Sequence, residues 1–382
     1  MPYLRLKKAR RIVVKVGSNV LTAHSDLNTR AIESISRQIC ALINRGVEVL
    51  LVSSGAMAAG LRKIGLDGRP DEIPQRQAVA ALGQSGLINA YEEAFGRCDK
   101  NVAQILLTSE DLNNRKRYLN ARNALNALLA WKVVPIINEN DTVMVEEIKL
   151  GDNDNLSAMI ALLMDADFLI NLTDIDGLYT KDPRIHSDAD LICEVSVFKK
   201  EIEKFASDIP GALGTGGMLS KIKAARKVTA AGVPMIIAKG DKPDILLKLF
   251  NGEKHGTYFA PKEEKMASRK CWIAYTLKPK GTLILDDGAA RALVYNGKSL
   301  LPIGIVEVIG DFGVGSAVEF KDAKARPLGI GLVNYTAAEI RSIIGLRTHQ
   351  IKEQLGSKPY DEVIHRDNLV VTAPKKGRPG QS

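Results

Sequence analysis

The sequence predicts an α/β protein, a mainly parallel sheet sandwiched by helices, followed by a small β-rich region toward its C-terminal end. Three observations predict it. Short β-branched runs alternate with segments of helical period up to roughly residue 260. Most of those runs are apolar throughout, as strands buried on both faces require. Beyond them the alternation gives way to short strand-like pieces punctuated by glycine.

The first expected strand covers residues 12–16 and stops at Gly17-Ser18. From Asn28 onward Ile32, Ile35, Ile39, Leu42 and Ile43 recur at helical spacing, and Gly46 stands where a C′ glycine closes a helix. A second strand over 47–52 runs into Ser53-Ser54-Gly55. Strands over 102–107, 133–138 and 168–172 follow, with helices over 121–131, 156–164 and 222–231. This succession closes as a parallel sheet with helices on both faces, and its ligand sites collect at the carboxyl ends of the strands. Gly17-Ser18, Ser53-Ser54-Gly55, residues 138–141 and Thr173-Asp174 each follow an expected strand, so four polar loops converge on one rim. After a charged stretch over 261–270, pieces at 271–275, 282–285, 305–309, 318–320 and 328–333 read as β structure. With two short helices around 289–293 and 337–344, they predict a small β-barrel-like domain.

Composition narrows the function classes. At 382 residues, 45% hydrophobic and 25% charged, the chain has core enough for two domains. No apolar run reaches the roughly 18 residues of a membrane span. The N-terminal segment carries no signal-peptide cleavage pattern, so a cytoplasmic location is expected. Cys40, Cys98, Cys193 and Cys271 lie far apart, without a CxxC pair or a histidine cluster, which argues against a zinc site or a disulfide framework. The net charge of +9 is unevenly spread: residues 1–260 carry 34 Lys and Arg against 31 Asp and Glu, residues 261–382 carry 19 against 13. Half of that second excess is Lys375, Lys376 and Arg378, in a tail over 371–382 expected to be disordered. An RNA-binding protein is the rival reading, and sparse aromatics with 16 basic against 13 acidic residues over 261–370 weaken it.

Three segments carry chemistry. Gly151-Asp152-Asn153-Asp154-Asn155 packs two carboxylates and two amides ahead of the expected helix, which Asp154 or Asn155 would cap. Alone it reads as a surface turn; its company reverses that reading. Lys15 stands in an otherwise apolar strand, where a buried ammonium needs an anion, and a phosphate would satisfy it. The glycine-rich residues 211–217 precede Lys221 and a helix, a backbone cradle with a mobile positive charge beside it. There is no GxxxxGK[ST] and no GxGxxG after the first strand. Two lysines, two glycine-rich turns and an acid-amide loop fit phosphoryl transfer. No histidine adjoins a nucleophilic serine or cysteine, so the acceptor should itself be nucleophilic, as a carboxylate is.

The residues Val14-Lys15-Val16-Gly17-Ser18, Ser53-Ser54-Gly55-Ala56, Asn138-Glu139-Asn140-Asp141, the 151–155 loop, Leu172-Thr173-Asp174, Gly177-Leu178-Tyr179-Thr180 and the run from Gly214 to Lys221 resemble the glutamate 5-kinase family. The resemblance covers nearly the whole chain and implies an amino acid kinase fold over 1–265 and a PUA-like domain over 276–358. It implies ATP-dependent phosphorylation of the γ-carboxylate of L-glutamate, with ATP as co-substrate and Mg2+ on the ATP phosphates. Lys15 and Lys221 would stabilise the moving phosphoryl group, with Asp154 orienting them. Ser54, Asn138, Asp141 and Asn153 would hold glutamate. Lys15, Thr173, Asp174, Thr215, Gly216, Gly217, Met218, Leu219, Ser220 and Lys221 would hold the nucleotide. Asp152 would support the loop or the magnesium environment; the metal ligands stay unassigned. The family also implies a homo-oligomer, dimer or tetramer, and a functional link to glutamyl phosphate reductase. A related kinase acting on another small carboxylate is the alternative.

Overall fold

The computed structural model describes residues 5–23, 26–143, 153–198, 201–202, 205, 217–262, 268–275, 277–357 and 359–372. The 151–152 part of the acid-amide loop, Thr215, Gly216 and the basic end of the tail lie outside these. The chain divides into two compact units, Met1–Lys265 and Met266–Ser382.

The first unit holds an eight-stranded sheet. Its strands are β1 (Arg11–Val16), β2 (Glu48–Ser53), β3 (Val102–Leu107), β4 (Val134–Glu139), β5 (Phe168–Thr173), β6 (Glu194–Val195), β7 (Met235–Lys239) and β8 (Thr257–Phe259). They lie in the order β3-β4-β2-β1-β5-β7-β8-β6. Every described pairing in this sheet is parallel except β7 with β8. The mainly parallel sheet expected from the apolar runs is present, with boundaries shifted by a residue or so.

Alternation along the strands divides the two faces. Ile12, Val14 and Val16 of β1, with Val49 and Leu51 of β2 and Phe168, Ile170 and Leu172 of β5, join a core built with Ile32, Ile35, Ile39 and Leu42. Those four come from helix α1 (Thr29–Asn44), capped by the Asn28 side chain on the Ala31 N–H and closed by Gly46 at φ +87°. The intervening residues, Lys15 and Asn171 among them, face the other side. There lies α4 (Asn153–Leu163), nearly every residue of which is buried.

Two further helices frame the rim. Gly55, at φ +106°, turns the chain from β2 into α2 (Ala56–Ile64), a left-handed conformation that an L side chain would strain. Helix α3 (Ile73–Gly96) crosses α2 so closely that a Cβ on Gly83 would lie 1.8 Å from the Ala56 carbonyl oxygen. The 24 residues of α3 escape a reading by hydrophobic period because Ala80, Gly83 and Gln84 are among its buried positions and add little apolar signal.

The second unit has its own core and a five-stranded sheet. Strands β9 (Gly281–Leu285), β10 (Ile305–Gly310), β11 (Ala317–Lys321), β12 (Pro327–Leu332) and β13 (Leu369–Val371) lie in the order β10-β9-β11-β12-β13. One expected strand is corrected: residues 271–275 belong to a helix, Ser268–Tyr275, that packs on β12 and β13 and buries Cys271, Trp272 and Ile273. A five-residue apolar run does not distinguish strand from helix by period, and tertiary packing decides.

Candidate active site

The sheet order puts β4, β2, β1 and β5 side by side, so the four polar loops read from the sequence are neighbours along one rim. Lys15 is the penultimate residue of β1 and pairs in register with Val52 of β2 and Asn171 of β5. Above it stands Asp154, in the first turn of α4 rather than at its cap. The helix begins at Asn153, so neither Asp154 nor Asn155 caps it as expected, and the Asp154 carboxylate is free to point at the sheet.

That carboxylate is only 1% exposed and gathers four donors. Its Oδ1 takes Lys15 Nζ at 2.6 Å and Asn171 Nδ2 at 2.8 Å. Its Oδ2 takes Lys221 Nζ at 3.2 Å and the Ser220 hydroxyl. Lys221 and Ser220 come from α5 (Met218–Ala230), which begins four residues earlier than expected. Lys221 is therefore buried and held inside the helix, not mobile beside it. Burial pushes the Asp154 carboxyl up, but the ammonium groups of Lys15 and Lys221 and the hydrogen bonds of Lys15 and Ser220 hold it well below the usual carboxylate range.

Asn153, next in the chain, organises a second cluster. Its Nδ2 lies 3.0 Å from Ser54 Oγ, 3.0 Å from Asn138 Oδ1 and 3.1 Å from the Ser53 carbonyl. Its Oδ1 is buried without a hydrogen-bond partner among the described residues, an acceptor left over for another donor. Asp141 follows β4 in a short 3-10 turn. Burial, only partly offset by Arg69 and its own backbone N–H, raises its carboxyl to about 6.

A third group ends β5. Thr173 Oγ1 donates to Asp174 Oδ1 and Asn19 Nδ2 to Asp174 Oδ2, each at 2.9 Å. Burial of Asp174 is outweighed by these bonds, its backbone N–H and the Lys221 charge, so its carboxyl is lowered. Gly217, in extended backbone, precedes α5 without a side-chain cap, so the first-turn N–H groups at Met218 and Leu219 are not taken by a cap side chain. Asn171 and Asn19 escaped the sequence reading. An asparagine inside the apolar run FLINLT was the available signal for the first, and nothing local marks the second.

A parallel sheet whose rim holds two cations on one carboxylate suits the transfer of an anionic group, and comparison with known proteins supplies the class. The profile of the amino acid kinase family matches residues 10–239, and that of the PUA domain matches residues 281–355. A glutamate 5-kinase of Thermoanaerobacter sp. (strain X514) is 51% identical over 362 residues, 94% of this chain and 97% of that one. A glutamate 5-kinase of Syntrophus aciditrophicus (strain SB) is 49% identical over 366 residues, covering 96% and 95%. The chain belongs to the glutamate 5-kinases of the amino acid kinase family. Among solved structures, carbamate kinase from Giardia lamblia bound to AMP-PNP aligns over 67% of this chain and 100% of that one, at 18% identity and a TM-score of 0.48.

Proposed function

We propose that the chain transfers the γ-phosphoryl group of ATP to the γ-carboxylate of L-glutamate, giving L-glutamyl 5-phosphate, the first step of proline biosynthesis, with Lys15, Lys221 and Asp154 at its centre. The observation that carries the residue assignment is the pair of buried ammonium groups on opposite oxygens of one carboxylate. In the reaction a carboxylate oxygen of glutamate forms a bond to the γ-phosphorus while the bond to the ADP oxygen breaks, and ADP leaves with the electron pair. No general base is required, because the acceptor is already ionised. Charge spreads over the equatorial oxygens of the transferred group, and the two lysines supply the compensating charge. Asp154, with two donors on each oxygen, orients them and has no capacity left to take a proton.

Glutamate sits on the Asn153 side in this reading. Asn153 Oδ1, which has no partner among the described residues, and the Asp141 carboxylate accept from its α-ammonium group, with Ser54 and Asn138 framing them. Thr173, Asp174 and residues 215–221 hold the nucleotide. The described residues contain no cluster of three metal-ligating side chains, and both oxygens of Asp154 are taken. They do not fit a protein-held magnesium cage, so Mg2+ belongs with the ATP phosphates.

One assay tests the assignment. Phosphorylation of glutamate should far exceed that of aspartate and N-acetylglutamate, and a preference for either competitor would overturn the substrate. The same assay across pH reads Asp141. Its ionised form binds the ammonium group, so the glutamate KM should rise as pH falls through about 6, and Asp141→Asn should raise KM at pH 7.5 and flatten that dependence. An unchanged pH profile in the variant would remove Asp141 from the glutamate subsite.

The same reading assigns residues 1–265 to catalysis, 276–358 to a PUA-like domain and 371–382 to a basic tail, although Val371, its first residue, still belongs to β13. Every candidate catalytic residue precedes residue 265, so a chain ending at 267 should phosphorylate glutamate at a rate within a fewfold of the whole. Loss of activity in a folded truncation would assign the second unit a part in the active site. A cytoplasmic homo-oligomer, dimer or tetramer, passing its labile acyl phosphate to glutamyl phosphate reductase completes the proposal. Any RNA affinity would reside beyond residue 265 and fall steeply with salt.

A further inference from the structure

We propose that Asn171 is a positioning residue for phosphoryl transfer: its amide fixes Oδ1 of Asp154 and thereby holds Lys15 and Lys221 at separate places on that carboxylate. The inference rests on the catalytic reading above and goes beyond it to a residue on the strand beneath the site.

Asn171 is fully buried in the middle of β5, between Ile170 and Leu172 and two positions from Leu169, all of them apolar. A position of that kind would ordinarily carry valine, isoleucine or leucine. Burying an amide there is costly, the more so because Asn171 Oδ1 has no hydrogen-bond partner among the described residues. Its Nδ2 donates to Asp154 Oδ1 at 2.8 Å. The parallel register sets Asn171 directly beside Lys15, so both side chains stand on the same face and reach the same oxygen from adjacent strands.

The choice of a neutral donor has a consequence for charge. Two ammonium groups and one carboxylate leave an excess of one positive charge, available to the phosphoryl oxygens. A neutral amide completes the coordination of Asp154 without altering that excess. Ser220 does the same for Oδ2 from α5. Without the Asn171 amide, Oδ1 keeps a single donor, the carboxylate can turn, and the lysines lose the fixed spacing on which transition-state stabilisation depends.

The test uses the full-length protein and compares kcat and both KM values for wild type, Asn171→Leu and Asn171→Asp. Asn171→Leu should lower kcat by about ten- to a hundredfold, the worth of a hydrogen bond to a charged group, with both KM values little changed. Asn171→Asp is nearly isosteric and places a second carboxyl against Asp154, with Lys15 facing it from β1, Lys221 from α5 and the apolar Ile237 beside it on β7. Like charges so close do not both ionise readily. When protonated, the new carboxyl donates to Asp154 as the amide does. When ionised, it cancels the positive excess. The kcat of Asn171→Asp should therefore fall as pH rises through that ionisation, over a range where wild type does not.

Wild-type kcat in Asn171→Leu, a change confined to KM, or a pH profile of Asn171→Asp parallel to wild type would each overturn the assignment. Should Asn171→Leu not fold, the pH profile of Asn171→Asp decides. If wild type prefers a different carboxylate acceptor, the substrate reading fails alone, and the variants are compared on that acceptor.

Discussion

Lys221→Ala, and separately Lys15→Ala, should lower kcat by about a hundred- to a thousandfold, the range found on removing one preorganised group that stabilises transition-state charge. Both ammonium groups are buried beside one carboxylate, where water does not screen them as it would at a surface. Each single replacement takes the triad of Lys15, Asp154 and Lys221 from one net positive charge to zero. The loss belongs in kcat, because developing charge on the transferred group is what the excess compensates. Steady-state kinetics on variants shown to be folded by circular dichroism make the measurement. A variant retaining near-normal kcat would show that its lysine has no part in the chemical step.

Asp154→Asn should cost both activity and stability. It leaves two buried ammonium groups without their shared counter-ion, and breaking a buried pair from one side typically destabilises by about 3–5 kcal/mol. Urea unfolding should show a lower midpoint with an unchanged slope, together with a loss in kcat at least as large as that of either lysine variant. The pH dependence has a definite sign. The Asp154 carboxyl lies below its unfolded value in the folded protein, so its contribution is complete above about pH 4 and is lost as pH falls from there. Asp154→Asn should accordingly lack part of the acid destabilisation that wild type shows. Equal stability in variant and wild type at pH 7 would mean that the lysines find another partner.

Much of the site was legible because its residue types contradict their surroundings. A lysine in the run IVVKV and an acid-amide loop against an apolar helix are costly wherever they occur without a ligand or a partner. Five of the eight strands of the first sheet were legible for the complementary reason: in a parallel sheet covered on both faces they must be apolar along their length; 194–195, 235–239 and 257–259 went unread. The same reasoning failed where small residues carry the packing, as in α3, and where an apolar run was too short to show a period, as in Ser268–Tyr275. It also set the start of α5 too late and treated Lys221 as mobile, since local propensity does not register a helix N-terminus that has no capping side chain.

The sequence by itself determined the fold class, five of the eight strands of the first unit's sheet and candidate groups for handling a phosphoryl anion, because burial and hydrogen-bonding demands act residue by residue. Only the tertiary structure decided which of those groups meet. Strand order made neighbours of β4, β2, β1 and β5, register set Asn171 beside Lys15, and the packing of α4 against α5 brought Lys221 to Asp154 across 67 residues of chain. Pairings at such separations are fixed by the packing of whole elements, and no local pattern of residues encodes them.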